Sequence, residues 1–167
     1  MTADPLVLQA TRVGARLREQ RASLVTAESC TGGWVSQAVT AVAGSSEWFE
    51  RGFVVYSNAA KEELLGVRHE TLELHGAVSE ATARELALGA LERSHGTISV
   101  AVTGVAGPSG GSAAKPVGLV CFAWATREGA RTESRNFAGD RESVRRQSVA
   151  RALEGVLETL DAGFPQA

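Results

Sequence analysis

Three side chains suited to acyl transfer stand in one stretch of the chain: Ser29, Tyr56 and Lys61. Ser29 lies within T-A-E-S-C-T-G-G at residues 26–33, after the apolar pair Leu24-Val25 and before the amphipathic run W-V-S-Q-A-V-T-A-V. A strand that hands over to a helix at this point leaves backbone N–H groups of Cys30, Thr31, Gly32 and Gly33 unpaired and facing outward. Such groups can hold an oxyanion or a phosphate. A serine hydroxyl also needs a base. Lys61 opens the helix that follows the next strand, and adjacent parallel strands bring both ends to one sheet edge, where folds of this kind bind ligands. Tyr56, the only tyrosine, ends that second strand and can relay or donate a proton. The pattern alone leaves Ser29 as either a nucleophile or a helix N-cap. Cys30 is a rival nucleophile, less well placed beside the turn.

Lysine usage sharpens the choice. Of 17 basic residues only Lys61 and Lys115 are lysines; the rest are arginines. Lysine loses its proton when desolvated and then acts as a base, whereas arginine stays charged. Both lysines lie beside motif-like stretches, although two lysines are also simply what such a composition leaves. Metal chemistry has little to draw on. His69, His75 and His95 are read as structural, and the aspartates are only Asp4, Asp140 and Asp161. No metal site and no cofactor are expected. A serine-histidine-aspartate arrangement stays open, because its members can be distant in sequence.

The elements that must position these groups follow from periodicity. Apolar residues Leu6, Leu8, Val13 and Leu17 set a helix over 5–21, and residues 23–28 form a short strand. A helix over 33–42, a strand over 51–56 and a helix over 58–65 come next, the last with Asn58 as N-cap. Residues between His69 and His75 read as surface. S-E-A-T-A-R-E-L opens a helix over 79–93, I-S-V-A-V lies in a buried strand over 97–103, and residues 104–116 form a glycine-rich loop. Strands over 117–126 and 132–137 make a hairpin through R-E-G-A, and a helix runs from 141 to about 160. Alternating strands and helices followed by one hairpin give an α/β fold, a three-layer α/β/α domain with a mixed, mostly parallel sheet. The 167 residues are read as one domain, 1–167. A net charge of −2 gives no reason to expect nucleic acid. No apolar run approaches a membrane span of about 20 residues, and the N-terminus lacks a signal region, so a cytoplasmic protein with no membrane partner is expected.

The ordered blocks T-A-E-S-C-T-G-G, Y-S-N-A-A-K-E-E-L-L-G-V, H-G-A-V-S-E-A-T-A and V-T-G-V-A-G-P-S-G-G-S-A-A-K-P-V-G resemble the CinA C-terminal domain family, the bacterial nicotinamide-nucleotide amidohydrolases. F-A-G-D-R before the last helix also matches, and the resemblance covers nearly the whole chain. It implies a three-layer α/β/α domain in its stand-alone form, without the N-terminal domain of longer members. It also implies hydrolysis of nicotinamide mononucleotide to nicotinic acid mononucleotide and ammonia, without a metal. The family's serine falls on Ser29, and its tyrosine and lysine on Tyr56 and Lys61. Backbone N–H groups near Cys30 to Gly32 would then hold the oxyanion.

A nucleotide substrate needs a phosphate seat, and the chain offers two. One is the loop over 103–111, with Thr103, Gly104 and Gly107, whose backbone can approach an anion. The other is Arg141 with Arg145 in the first turns of the last helix, where cations oppose the dipole unless an anion or a carboxylate such as Glu142 compensates. A homo-oligomer, with a dimer favoured, belongs to the same expectation. The alternative is a non-catalytic nucleotide-binding or partner-binding module of the competence- and damage-inducible type. Phosphoryl transfer is disfavoured, because G-P-S-G-G-S lacks the phosphate-loop pattern and no acidic pair for magnesium is evident.

Overall fold

The computed structural model describes residues 3–162. Helix α1 (Pro5–Glu19) leads into strand β1 (Leu24–Glu28), helix α2 (Trp34–Thr40) and strand β2 (Phe49–Val54). Helices α3 (Asn58–Leu65), α4 (His69–His75) and α5 (Glu80–Glu92) follow in succession, and then strand β3 (Ile98–Gly104). The hairpin of β4 (Leu119–Thr126) and β5 (Gly129–Asn136) precedes the long helix α6 (Arg141–Asp161). Among the described residues no helix is long and apolar enough to cross a membrane.

The sheet has the order β2-β1-β3-β4-β5. β1 pairs in parallel with both β2 and β3, and β4 is antiparallel to its two neighbours, so the sheet is mixed as expected. Side chains alternate across a strand with period two. Leu24, Ile98, Val100, Val102, Val120, Phe122 and Trp124 face a core built with α1, α2 and α6. Val25, Ala27, Ala101, Cys121, Ala123 and Ala125 face a second core under α3, α4 and α5. Three layers result. The α5 side is lined by small residues, which lets that helix lie close; the Ser99 hydroxyl donates to the Ala87 carbonyl at 2.7 Å.

The crossover from β1 to β2 carries α2 on one face, and the crossover from β2 to β3 carries α3–α5 on the other. Chain direction therefore diverges on either side of β1. A crevice opens at its carboxyl end, where open α/β sheets bind ligands. Register puts Glu28 level with Val54 and with Val102, so β1 and β2 end together there and β3 runs two residues further.

Several local readings need adjustment. β2 lies two residues earlier than 51–56, so Val55 and Tyr56 sit beyond the strand, where Val55 N–H still donates to the Glu28 carbonyl. Residues 69–75, read as surface with no element assigned, form a largely exposed helix; seven residues that bury only Thr71 and Leu72 leave too little pattern to read. Ser57, not Asn58, caps α3, its hydroxyl accepting from Ala60 N–H at 3.0 Å. The hairpin begins its return strand at Gly129 rather than at 132, and Leu8 of α1 is 55% exposed, so Ala10 takes its place in the buried stripe.

Candidate active site

Alternation at the end of β1 sets the site. Glu28 points to the α2 side and the next residue, Ser29, to the α3 side. Ser29 N–H donates to the Val102 carbonyl at 3.0 Å, which extends the β1–β3 ladder by one bond before the chain turns. Gly32 and Gly33 then take φ of 61° and 107°, left-handed values that a side chain resists, and α2 begins. On the neighbouring crossover the Ser57 cap starts α3 so that Lys61, in its first turn, faces inward.

Lys61 is 1% exposed. Its Nζ lies 3.0 Å from Ser29 Oγ, 3.0 Å from the Val55 carbonyl and 2.9 Å from the Tyr56 carbonyl. No carboxylate is among these partners. Burial therefore holds the amine below its ordinary pKa of 10.5. As an ammonium it donates to all three oxygens; once neutral, it can keep two N–H donors on the carbonyls and turn its lone pair to the Ser29 hydroxyl.

The turn after Ser29 is tied down from two sides. Glu28, fully buried, accepts from Thr31 Oγ1 (2.7 Å), Val35 N–H (2.8 Å), Ser36 N–H (2.9 Å) and Ser36 Oγ (2.7 Å). Four donors leave the carboxylate fully engaged as the cap of α2. From α6, Arg145 donates through Nε to the Cys30 carbonyl (3.0 Å) and through Nη2 to the Thr31 carbonyl (3.1 Å), with its guanidinium 5.4 Å from the Trp34 ring centre. These contacts correct the expectation of an open helix terminus. Gly32 N–H is spent on the Ser29 carbonyl, and the first turn of α2 is spent on Glu28. Among the described residues Thr31 and Gly33 keep N–H groups without an acceptor, and the Cys30 N–H meets only its own thiol.

A cavity of about 180 Å³ opens beside this pair, lined by Ser29, Cys30, Tyr56, Lys61, Ala77, Val78, Thr103, Gly104, Ala106 and Arg141. The Thr103 hydroxyl donates to the Ala77 carbonyl at 2.9 Å, which fastens the α4–α5 loop to the end of β3 as one wall. Arg141 donates to the Gly107 carbonyl at 2.7 Å and so joins α6 to the glycine loop. A second cavity, about 470 Å³, shares Ala106 and Arg141 with the first and continues over Pro108 and Val117. Arg145 does not line either. Tyr56 reaches Lys61 through its carbonyl, while its side chain stands 64% exposed at the rim.

Burial pushes the Cys30 thiol up to about 12, which disfavours the thiolate that a cysteine nucleophile needs. Lys115 donates to the His75 carbonyl, where a cation complements the end of α4. His69 lies between Glu62 and Glu73 on the surface, and those carboxylates raise its pKa. Among the described residues no group of three or more His, Cys, Asp or Glu could hold a metal. Sequence reasoning passed over Glu28, Ala77, Val78 and Ala106. Glu28 stood next to Ser29 in the same block, and H-G-A-V-S-E was a block with no role given to it.

The CinA C-terminal domain family matches residues 8–160. The nicotinamide-nucleotide amidohydrolase PncC of Escherichia coli K12 is 52% identical over 92% of this chain and 94% of its own length. Its namesake from Pseudomonas putida is 50% identical over 93% and 97%. Among solved structures, the competence/damage inducible protein CihA of Agrobacterium tumefaciens superposes with a TM-score of 0.91 at 44% identity, covering 96% of this chain and 99% of that one. A CinA superfamily protein of Klebsiella pneumoniae superposes with a TM-score of 0.92 at 39% identity, over 95% and 99%. Sequence and fold thus agree over nearly the full length, and the chain belongs to the CinA C-terminal domain family.

Proposed function

We propose that this protein hydrolyses nicotinamide mononucleotide to nicotinic acid mononucleotide and ammonia, with Ser29 as nucleophile and Lys61 as base. The observation that carries this reading is the buried contact of Lys61 Nζ with Ser29 Oγ at 3.0 Å, with no carboxylate to hold the lysine charged. The substrate comes from the relatives, since proteins half identical to this one bear the name nicotinamide-nucleotide amidohydrolase.

Lys61 takes the Ser29 proton as the oxygen attacks the amide carbon. The carbonyl oxygen becomes an oxyanion and rests on the N–H groups of Cys30 and Thr31, each contributing about 3 kcal/mol to lowering the barrier. Lys61 returns the proton to nitrogen, the C–N bond breaks, ammonia leaves, and an ester remains on Ser29. Water then attacks the ester with Lys61 again as base, and Ser29 regains its proton as the acid departs. The Tyr56 hydroxyl, at the rim, assists transfer of the proton to the departing ammonia. The scheme uses side chains, backbone N–H groups and water.

The smaller cavity, about 180 Å³, takes the pyridine carboxamide, and the larger one beside it takes the ribose phosphate. Arg141, common to both and held by the Gly107 carbonyl, seats the phosphate, while Thr103 and Gly104 border the carboxamide in the smaller cavity. Val54, half exposed on the outer strand β2, together with Tyr56 offers an apolar edge to a second copy of the chain.

Ammonia release from nicotinamide mononucleotide tests the reading. Wild type should turn over, and Ser29→Ala should lose turnover while keeping its fold by circular dichroism. A wild type that binds the nucleotide without releasing ammonia would make the domain a binding module instead.

A further inference from the structure

The turn at residues 29–32 contains three successive trans peptides, each with its C=O and N–H on opposite sides. Arg145 Nε holds the Cys30 carbonyl, so the Thr31 N–H in the same peptide points away from the guanidinium. Arg145 Nη2 holds the Thr31 carbonyl, so the Gly32 N–H is turned the other way, onto the Ser29 carbonyl. That bond in turn fixes the Ser29–Cys30 peptide and the direction of the Cys30 N–H. One side chain thus determines, directly or through one further hydrogen bond, the orientation of the Cys30 and Thr31 N–H groups beside Ser29.

Two more features point the same way. Arg145 lies in the second turn of α6, where a cation opposes the helix dipole. Its contacts here are two carbonyls and the Trp34 ring rather than a carboxylate. The approach is also close: a Cβ at Gly32 would stand 3.3 Å from Arg145 Nη2. A guanidinium fork suits this task, because its donors are fixed in one plane and can span two neighbouring carbonyls, which a lysine ammonium cannot do with the same geometry.

We propose that Arg145 is a positioning residue of the acyl-transfer site, aligning the Cys30 and Thr31 N–H groups on the oxyanion, and not a seat for the substrate phosphate. The proposal rests on the amidohydrolase reading above. A donor held in place before the reaction needs no reorganisation as charge develops, so losing the alignment slows the chemical step more than it weakens substrate binding.

The test compares Arg145→Lys and Arg145→Gln with wild type on nicotinamide mononucleotide and on nicotinamide riboside, which carries the same amide without the phosphate. Expected is a fall in kcat of about 10²-fold, the lower end of the range for losing one oxyanion donor, with both substrates affected alike and KM little changed. Affinity for the corresponding pyridine-3-aldehyde mononucleotide should fall with kcat. This aldehyde adds the Ser29 oxygen across its C=O and so mimics the tetrahedral state. Affinity for the product acid should hold. A rise in KM confined to the phosphate-bearing substrate would overturn the proposal and return Arg145 to phosphate binding. Equal loss of aldehyde and product affinity would also overturn it, leaving a structural role only. Should both variants fail to fold, the wild type still decides. Its Cys30 and Thr31 amide proton resonances should move downfield when the aldehyde adduct forms, and unmoved resonances refute the assignment. A wild type with neither turnover nor adduct fails one level earlier, at the function itself.

Discussion

Replacing Lys61 by arginine separates a base from a mere positive charge. Lys61 is 1% exposed, and its amine meets two carbonyls and the Ser29 hydroxyl. Arginine preserves charge and donors but cannot give up its proton in a protein. General-base catalysis contributes roughly 10²–10⁴-fold, or about 3–5 kcal/mol at 1.36 kcal/mol per decade. Here the base serves both acylation and deacylation, so we expect kcat of Lys61→Arg to fall at least about 10³-fold. Lys61→Met should fall as far, and should also lose stability, because the Val55 and Tyr56 carbonyls are left without a donor at a cost of about 1–3 kcal/mol each. Assays therefore belong well below the melting temperature, with ammonia release as the readout.

The pH dependence has a defined sign. Only the neutral amine accepts the Ser29 proton, so kcat/KM should rise with pH and level off above the Lys61 pKa, which burial sets below 10.5. Stability follows by linkage. Between the folded and unfolded pKa values the unfolded chain binds more protons, so stability increases as pH rises through that window up to about 10.5. The stability difference between wild type and Lys61→Met should shift in favour of wild type over the same window. More than about a tenth of wild-type kcat in Lys61→Arg would refute the base role, since the effect expected of a general base is at least 10². A rising limb centred at the ordinary lysine value would refute the desolvation.

Cys30→Ser should keep kcat within about threefold of wild type, and iodoacetamide at pH 8 should not inactivate, because a thiol pushed up to about 12 is only about one part in 10⁴ thiolate there; inactivation at Cys30 would reopen it as the nucleophile. Arg141→Ala should lower kcat/KM for nicotinamide mononucleotide at least about tenfold and leave nicotinamide riboside unaffected, since charge-assisted contacts to phosphate are about twice as strong as neutral ones. An unchanged ratio would move the phosphate to the backbone of the glycine loop. Gly155→Ala places a methyl group against the Trp124 indole, whose Nε1 donates to the Ala152 carbonyl at 2.9 Å and so cannot swing aside freely. We expect a loss of about 1–3 kcal/mol, read as a drop of roughly 2–4 °C in Tm per kcal/mol. An unchanged Tm would show that α6 can move away from the sheet.

How much of this was legible in the sequence depended on the range of the interaction. The layers were readable because alternation in I-S-V-A-V and the helical stripes of α5 and α6 are local patterns. The contact of Ser29 with Lys61 was readable for a related reason: short α/β connections put the ends of parallel strands at one edge, so the two had to meet if β1 and β2 were neighbours. Arg145 was not. An arginine early in α6 suggests an anion, and only the packing of α6 over the Ser29 turn turns its guanidinium onto the Cys30 and Thr31 carbonyls. Glu28 failed differently, because a carboxylate at a strand end looks the same whether it meets solvent or caps a buried helix.

The two residues are bound by one physical constraint. Period-two alternation means that whatever sends Ser29 to the α3 side must send Glu28 to the α2 side. The chain cannot present Ser29 to Lys61 without burying the preceding side chain against the start of α2. A carboxylate is tolerated there because four donors meet it. Occupying that helix terminus also removes it as an anion site, which leaves the free donors in the turn itself. The left-handed glycines at 32 and 33 let the backbone turn tightly enough to place those donors beside Ser29. An apolar residue at 28 would strand the donors of Thr31, Val35 and Ser36 in a buried site and loosen the turn beside Ser29.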